Sequence, residues 1–148
     1  MMKQPVGRFA SRNPLVEFWF RVQEFLRARK TFAKAEGLEG REYEMLLLLK
    51  AHDDVGTVNV SFIAEKLFIH HHVAAGIVKR LTQRGLIEAQ RSAKDRRSLS
   101  LRLTSAGEAL LERIVARSVE GLASEGPHIL SSLGRILGDE RRSSSMAR

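Results

Sequence analysis

Residues 61–85 read SFIAEKLFIHHHVAAGIVKRLTQRG, and residues 86–107 continue LIEAQRSAKDRRSLSLRLTSAG. Ser61 opens a short helix in which Ile63, Ala64 and Leu67 turn inward at helical spacing. Phe68-Ile69 leaves room only for a tight turn, and a second helix follows from about His70 to Arg84. Its inward positions are Val73 or Ala74, Ile77, Val78 and Leu81, and Gly85 supplies the residue on which helices commonly end. Two helices joined by so short a link, the second basic at its far end, have the layout of a helix-turn-helix.

The next residues extend that layout. Leu86 to Arg91 reads as a strand, and Ser92 to Arg97 as a polar, charged turn. Ser98 to Leu103 alternates, with Leu99, Leu101 and Leu103 on one face of a second strand. A hairpin directly after a helix-turn-helix makes a winged helix. Its tip carries Lys94, Arg96 and Arg97 around one acid, Asp95.

Farther out, residues 1–13 form an irregular arm punctuated by Pro5 and Gly7. Asn13 is the expected N-cap of a helix with Pro14 at its first position. Leu15, Trp19, Val22, Phe25 and Phe32 mark its apolar stripe, and Gly37 ends it. A helix from Gly40 to Lys50 is nearly encircled by Tyr43, Met45, Leu46, Leu47 and Leu49, which places it centrally. Residues 52–56 read as a turn and Thr57 to Val60 as a short strand. Ser105-Ala106-Gly107-Glu108 has the spacing of a capping box, opening a helix through Leu110, Leu111, Ile114, Val119 and Leu122. Gly126-Pro127 is expected to break it. Ile129 to Leu137 forms one more helix, and residues 138–148 make a disordered tail. The expected fold class is mainly α with a small β-hairpin, a single winged-helix domain over residues 14–137.

Composition narrows the function. The chain has 148 residues, 43% of them hydrophobic, which suits one domain with a packed core and excludes general disorder. It has no cysteine, so disulfides, thiolate metal sites and thiol-oxidation sensing are excluded. The net charge is +8, and residues 70–103 alone hold eight basic groups against two acids. Charge concentrated in this way points to an anionic partner, with nucleic acid first. No apolar run approaches the roughly 20 residues of a membrane span, and no signal-peptide core follows Met1, so a cytoplasmic location is expected. Phosphate-cradling Gly loops, Gly-x-Ser-x-Gly and His-Glu-x-x-His are all missing, so neither an enzyme nor a cofactor is expected. The adjacent histidines 70–72 point about 100° apart on a helix and have no ligand partner three or four residues on. No metal is expected there.

The ordered set Ile63-Ala64-Glu65-Lys66-Leu67, Val78-Lys79-Arg80-Leu81, Arg84-Gly85-Leu86-Ile87, Lys94-Asp95-Arg96-Arg97 and Leu101-Arg102-Leu103-Thr104-Ser105-Ala106-Gly107 resembles the MarR family of winged-helix transcription regulators. The likeness covers about residues 14–137. It implies a homodimer joined through the end helices (14–36 and 105–137), with residues 57–104 binding double-stranded DNA at a pseudo-palindromic operator, most simply as a repressor. Apolar stripes wider than a monomer of this size buries support the dimer independently. The resemblance places the helix from His70 in the major groove, with His70, His71, His72, Lys79 and Arg80 toward the DNA. Arg97, with Arg96, would reach the minor groove, and Asp95 would orient an arginine. Ser61, Arg84, Arg91 and Lys94 are expected phosphate contacts, which position without specifying. The family's response to small aromatic compounds makes Trp19, Phe20, Tyr43 and Met45 candidate pocket residues, against the plainer reading that they are core. Ala75 and Gly76 depart from the family pattern, since neither can make a bidentate base contact. Their presence keeps two alternatives open, a nonspecific DNA binder and a winged-helix protein-interaction module.

Overall fold

The computed structural model describes residues 13–53, 58–91 and 99–146. In chain order the elements are α1 (Pro14–Ala35), α2 (Gly40–Ala51), α3 (Val60–Lys66), α4 (His71–Gln83), β1 (Ile87–Arg91), β2 (Leu99–Leu103) and α5 (Ser105–Met146). They fall into two compact units, residues 30–116 and residues 1–29 with 117–148.

Residues 30–116 carry the winged helix. Met45 and Leu46 of α2, Ile63 of α3, Leu81 of α4, Ile87 of β1 and Ile114 of α5 are all buried to within 1% of full. Each is an apolar residue at the inward position of its element, so the helical spacing of 3–4 and the strand alternation meet in one cluster. The hairpin is antiparallel, with Ile87 opposite Leu103 and Arg91 opposite Leu99. Arg102 and Glu88 face each other across it and pair at 2.6 Å. Lys50 at the end of α2 donates to Glu108 in the first turn of α5 at 3.0 Å, and that carboxylate holds the ammonium above the usual lysine range.

Three of these helices end in the same way. After α1, Gly37 and Leu38 donate back to the carbonyls of Lys34 and Ala33, with Gly37 at φ +80°. After α4, Gly85 and Leu86 donate to Thr82 and Leu81, with Gly85 at φ +70°. After α3, Phe68 and Ile69 donate to Glu65 and Ala64, with Phe68 at φ +52°. All three are Schellman motifs, in which glycine is the usual occupant of the left-handed position.

The start of α3 differs from expectation. The helix begins at Val60, capped by Asn59, whose side chain accepts the Phe62 N–H at 2.8 Å. Asparagine is a favoured N-cap, and with Asn59 in that role Ser61 falls inside the first turn. Val58 does not extend a strand but accepts one bond from Leu101 N–H at 2.7 Å; Thr57 lies outside the described residues.

Thr104, not Ser105, caps α5. Its hydroxyl accepts from Gly107 N–H at 3.1 Å and donates to the Gly85 carbonyl at 2.6 Å. Its own N–H donates to Leu86 O at 3.1 Å, which ties the cap to the end of α4 and the start of β1. Gly107 then packs directly on the Leu86 carbonyl, and a Cβ at this position would overlap that oxygen.

The expected break at Gly126-Pro127 is also corrected. α5 is one helix of 42 residues with Pro127 inside it, so neither a separate terminal helix nor an unstructured tail from Gly138 is formed before Met146. An interior proline costs a helix about 3 kcal/mol. Contacts to α1 on both sides of the proline, within the second unit, account for its tolerance. Arg29 donates to Ser118 O at 2.9 Å and Arg21 pairs with Glu125 at 3.6 Å before it; Arg135 pairs with Glu17 after it. Gly121 admits the Arg29 guanidinium, since a Cβ there would stand 2.6 Å from Nη2.

Candidate nucleic-acid interface

The helix-turn-helix is set by its buried side. Ile63 and Ala64 of α3 pack with Ala74, Ile77 and Leu81 of α4, which leaves the opposite face of α4 outward. His70 is the N-cap of α4, and His70, His71, His72 and Lys79 are exposed. The rings of His70 and His72 stack with centroids 5.7 Å apart and planes 14° from parallel. The start of α4 therefore exposes three imidazoles beside its free backbone N–H groups, where a helix end also favours anions. Ser61 is exposed on α3 and Arg91 at the end of β1. Lys94, Asp95, Arg96 and Arg97 lie outside the described residues.

Arg80, expected toward the DNA, and Arg84, expected at a phosphate, also serve the fold. Both converge on Glu42 of α2, which is 5% exposed. Arg80 Nε donates to Glu42 Oε1 at 3.2 Å, and Arg84 Nη1 lies 3.7 Å from Oε2. Arg84 also donates to the Gly37 carbonyl at 2.8 Å. The Glu39 N–H donates to the same Oε2 at 2.9 Å, so Glu42 caps α2 and anchors α4 together. These two arginines fix where α4 lies, and what remains of their guanidinium surface faces solvent. Sequence reasoning passed over Glu42; its signal was the Glu-x-x-Glu spacing, Glu39 to Glu42, at the start of α2.

Beside α4 lies an open cleft of about 680 Å³, with Val73, Gly76 and Ile77 on one wall and Lys30, Arg41 and Arg80 among the others. Gly76 has room for a side chain: the nearest atom to a Cβ built there is Arg80 Nη1 at 3.9 Å. Of the four candidate pocket residues, Tyr43 and Met45 belong to the core of residues 30–116. Trp19 and Phe20 are exposed on α1, edge to face at 5.0 Å. Among the described residues, no three histidine or carboxylate groups stand together as metal ligands, and no helix is long and apolar enough to cross a membrane.

A family model described as MarR family matches residues 36–98. The chain is 30% identical over 115 residues to the HTH-type transcriptional regulator PecS of Dickeya dadantii (strain 3937), covering 72% of this chain and 69% of PecS. A mutant of Staphylococcus aureus MepR, solved bound to an oligodeoxyribonucleotide, aligns with a TM-score of 0.65 at 20% identity over 82% of this chain and 94% of MepR. CouR from Rhodococcus jostii RHA1, solved bound to p-coumaroyl-CoA, aligns with a TM-score of 0.64 at 22% identity over 90% and 94%. The two structural likenesses are likenesses of fold.

Proposed function

This chain belongs to the MarR family of transcriptional regulators, and from that premise we propose that it acts as a homodimeric repressor binding a pseudo-palindromic DNA operator. The observation that carries the reading is α4. Its buried side is fixed by the core and by Glu42, and its opening turn holds three exposed histidines ahead of Lys79. The surrounding segment, residues 70–103, holds most of the chain's excess positive charge.

In this reading α4 enters the major groove by its first turn. Ser61 and Arg91 contact phosphates, joined by Lys94 of the wing. Arg97, with Arg96, takes the minor groove, and Asp95 orients one of them. An ion pair of that kind in water contributes only about 0–1 kcal/mol, so its value would be positional. Release by a small aromatic compound completes the proposal, by analogy with the ligand-bound CouR. Trp19 and Phe20 are its exposed aromatic candidates, while Tyr43 and Met45 belong to the buried core of residues 30–116. Such a compound releases DNA only if it binds the DNA-incompetent form more tightly.

The test is selection of bound duplexes from a random pool. The expected result is a palindromic consensus with half-sites about one helical turn apart, and affinity that falls steeply with salt. Arg97→Ala should weaken binding to the selected duplex with no change in Tm. Bound duplexes without a consensus would favour the nonspecific reading, to which Ala75 and Gly76 lend support. No bound duplex at low salt would leave the interaction-module reading.

A further inference from the structure

We propose that Phe68 is a specificity-determining DNA contact, its ring packing on the C5-methyl of a thymine at the edge of the major groove; the proposal rests on the regulator reading above. α1, α3 and α4 close with the same pair of turn bonds. Two of them place Gly37 and Gly85 at the left-handed position, at φ +80° and +70°. The third places Phe68 there at φ +52°. A side chain is disfavoured in that region, and a bulky one more so. Packing does not compensate, because Phe68 is 94% exposed. Glycine would serve the fold better on both counts, so the aromatic residue answers to something outside the fold. Strain held without local compensation is a mark of functional positions.

Its location says what that is. Phe68 stands two residues before His70, the N-cap of α4, in the turn that leads into the end of α4 nearest the bases. The outward residues that follow supply no arginine, asparagine or glutamine at the positions where bidentate readers act: they are His70, His71, His72, Ala75 and Gly76. Val73, also exposed, adds a further apolar group. Before Lys79, then, α4 offers none of the side chains that pair hydrogen bonds with guanine or adenine. The thymine methyl is the apolar mark that the major groove displays, and phenylalanine is one of the side chains suited to meet it.

The experiment uses the full chain and a duplex selected from a random pool, with deoxyuridine replacing thymidine one position at a time. That change removes the methyl and nothing else. Wild type should lose about fourfold in affinity at one thymine of each half-site, the effect of one buried methyl. Phe68→Gly should bind the thymidine duplex more weakly and show no preference for it over the deoxyuridine duplex. Its Tm should equal or exceed that of wild type, because glycine relieves the left-handed turn. Wild type that is indifferent to every deoxyuridine replacement, or Phe68→Gly that keeps the wild-type preference, would overturn the proposal while leaving the regulator reading intact. A pool that yields no bound duplex would overturn the regulator reading and this proposal with it.

Discussion

Glycines show how much a single position can mean. Gly107 and Gly76 both lie inside helices, where glycine costs roughly 0.5–1 kcal/mol against alanine. Gly107 has an internal reason, because a Cβ would overlap the Leu86 carbonyl that also accepts from Thr104 N–H. Gly76 has none, its nearest neighbour standing at ordinary contact distance. The two should therefore respond oppositely to alanine. Gly107→Ala should lose about 1–3 kcal/mol, the usual range for forcing atoms into a filled site. Gly76→Ala should gain about 0.5–1 kcal/mol from helix propensity alone. Urea unfolding of both variants with a common m-value checks the pair; equal losses would mean that α4 has no slack at Gly76. The glycine in Leu-Thr-Ser-Ala-Gly was visible in the sequence as a family feature. The reason for it was not, since the carbonyl it packs on belongs to a residue 21 positions earlier.

Among the elements, legibility followed locality. The spacing of Ile63 and Ala64, and of Ala74, Ile77 and Leu81, declared α3 and α4, and the alternation of Leu99, Leu101 and Leu103 declared β2. What stayed hidden depended on partners far along the chain. Pro127 reads locally as a stop, yet α5 continues because Arg21, Arg29 and Glu17 hold it on both sides. Arg80 reads locally as a DNA-facing residue and Arg84 as a phosphate contact, and both also reach Glu42 from 38 and 42 positions away. The position of α4 thus depends on one buried carboxylate. Glu42→Ala should cost about 1–3 kcal/mol, because it strips a hydrogen-bonded acceptor from the Glu39 N–H and the Arg80 guanidinium and removes the ion-pair partner of Arg84. Arg84→Ala should cost less, its side chain being partly in water. A double-mutant cycle between the two should give a coupling of at least about 0.5 kcal/mol. Additive losses would mean that Arg84 is held by the Gly37 carbonyl alone.

At the scale of the whole molecule, apolar surface is distributed as unevenly as charge. In the unit formed by residues 13–29 and 117–146, Leu15, Trp19 and Phe20 of α1 and Val119, Leu122, Leu130 and Leu137 of α5 are exposed. The same unit buries Arg21 and Arg29 while these large apolar groups face out. A monomer rarely exposes this many apolar side chains on two helices without a partner. In the proposed reading that partner is a second copy, because a two-fold protein reads a two-fold site. Leu130, 69% exposed, separates folding from association: replacing it removes nothing from the monomer's core. Leu130→Glu should therefore turn a dimer at micromolar concentration into a monomer by light scattering, with far-ultraviolet helicity retained. It should also weaken binding to a full operator by about 10²-fold or more while leaving half-site binding unchanged, because joining two modules raises the effective concentration of the second. A variant that stays dimeric, or that loses full-site and half-site binding equally, would place the dimer contact elsewhere on the chain.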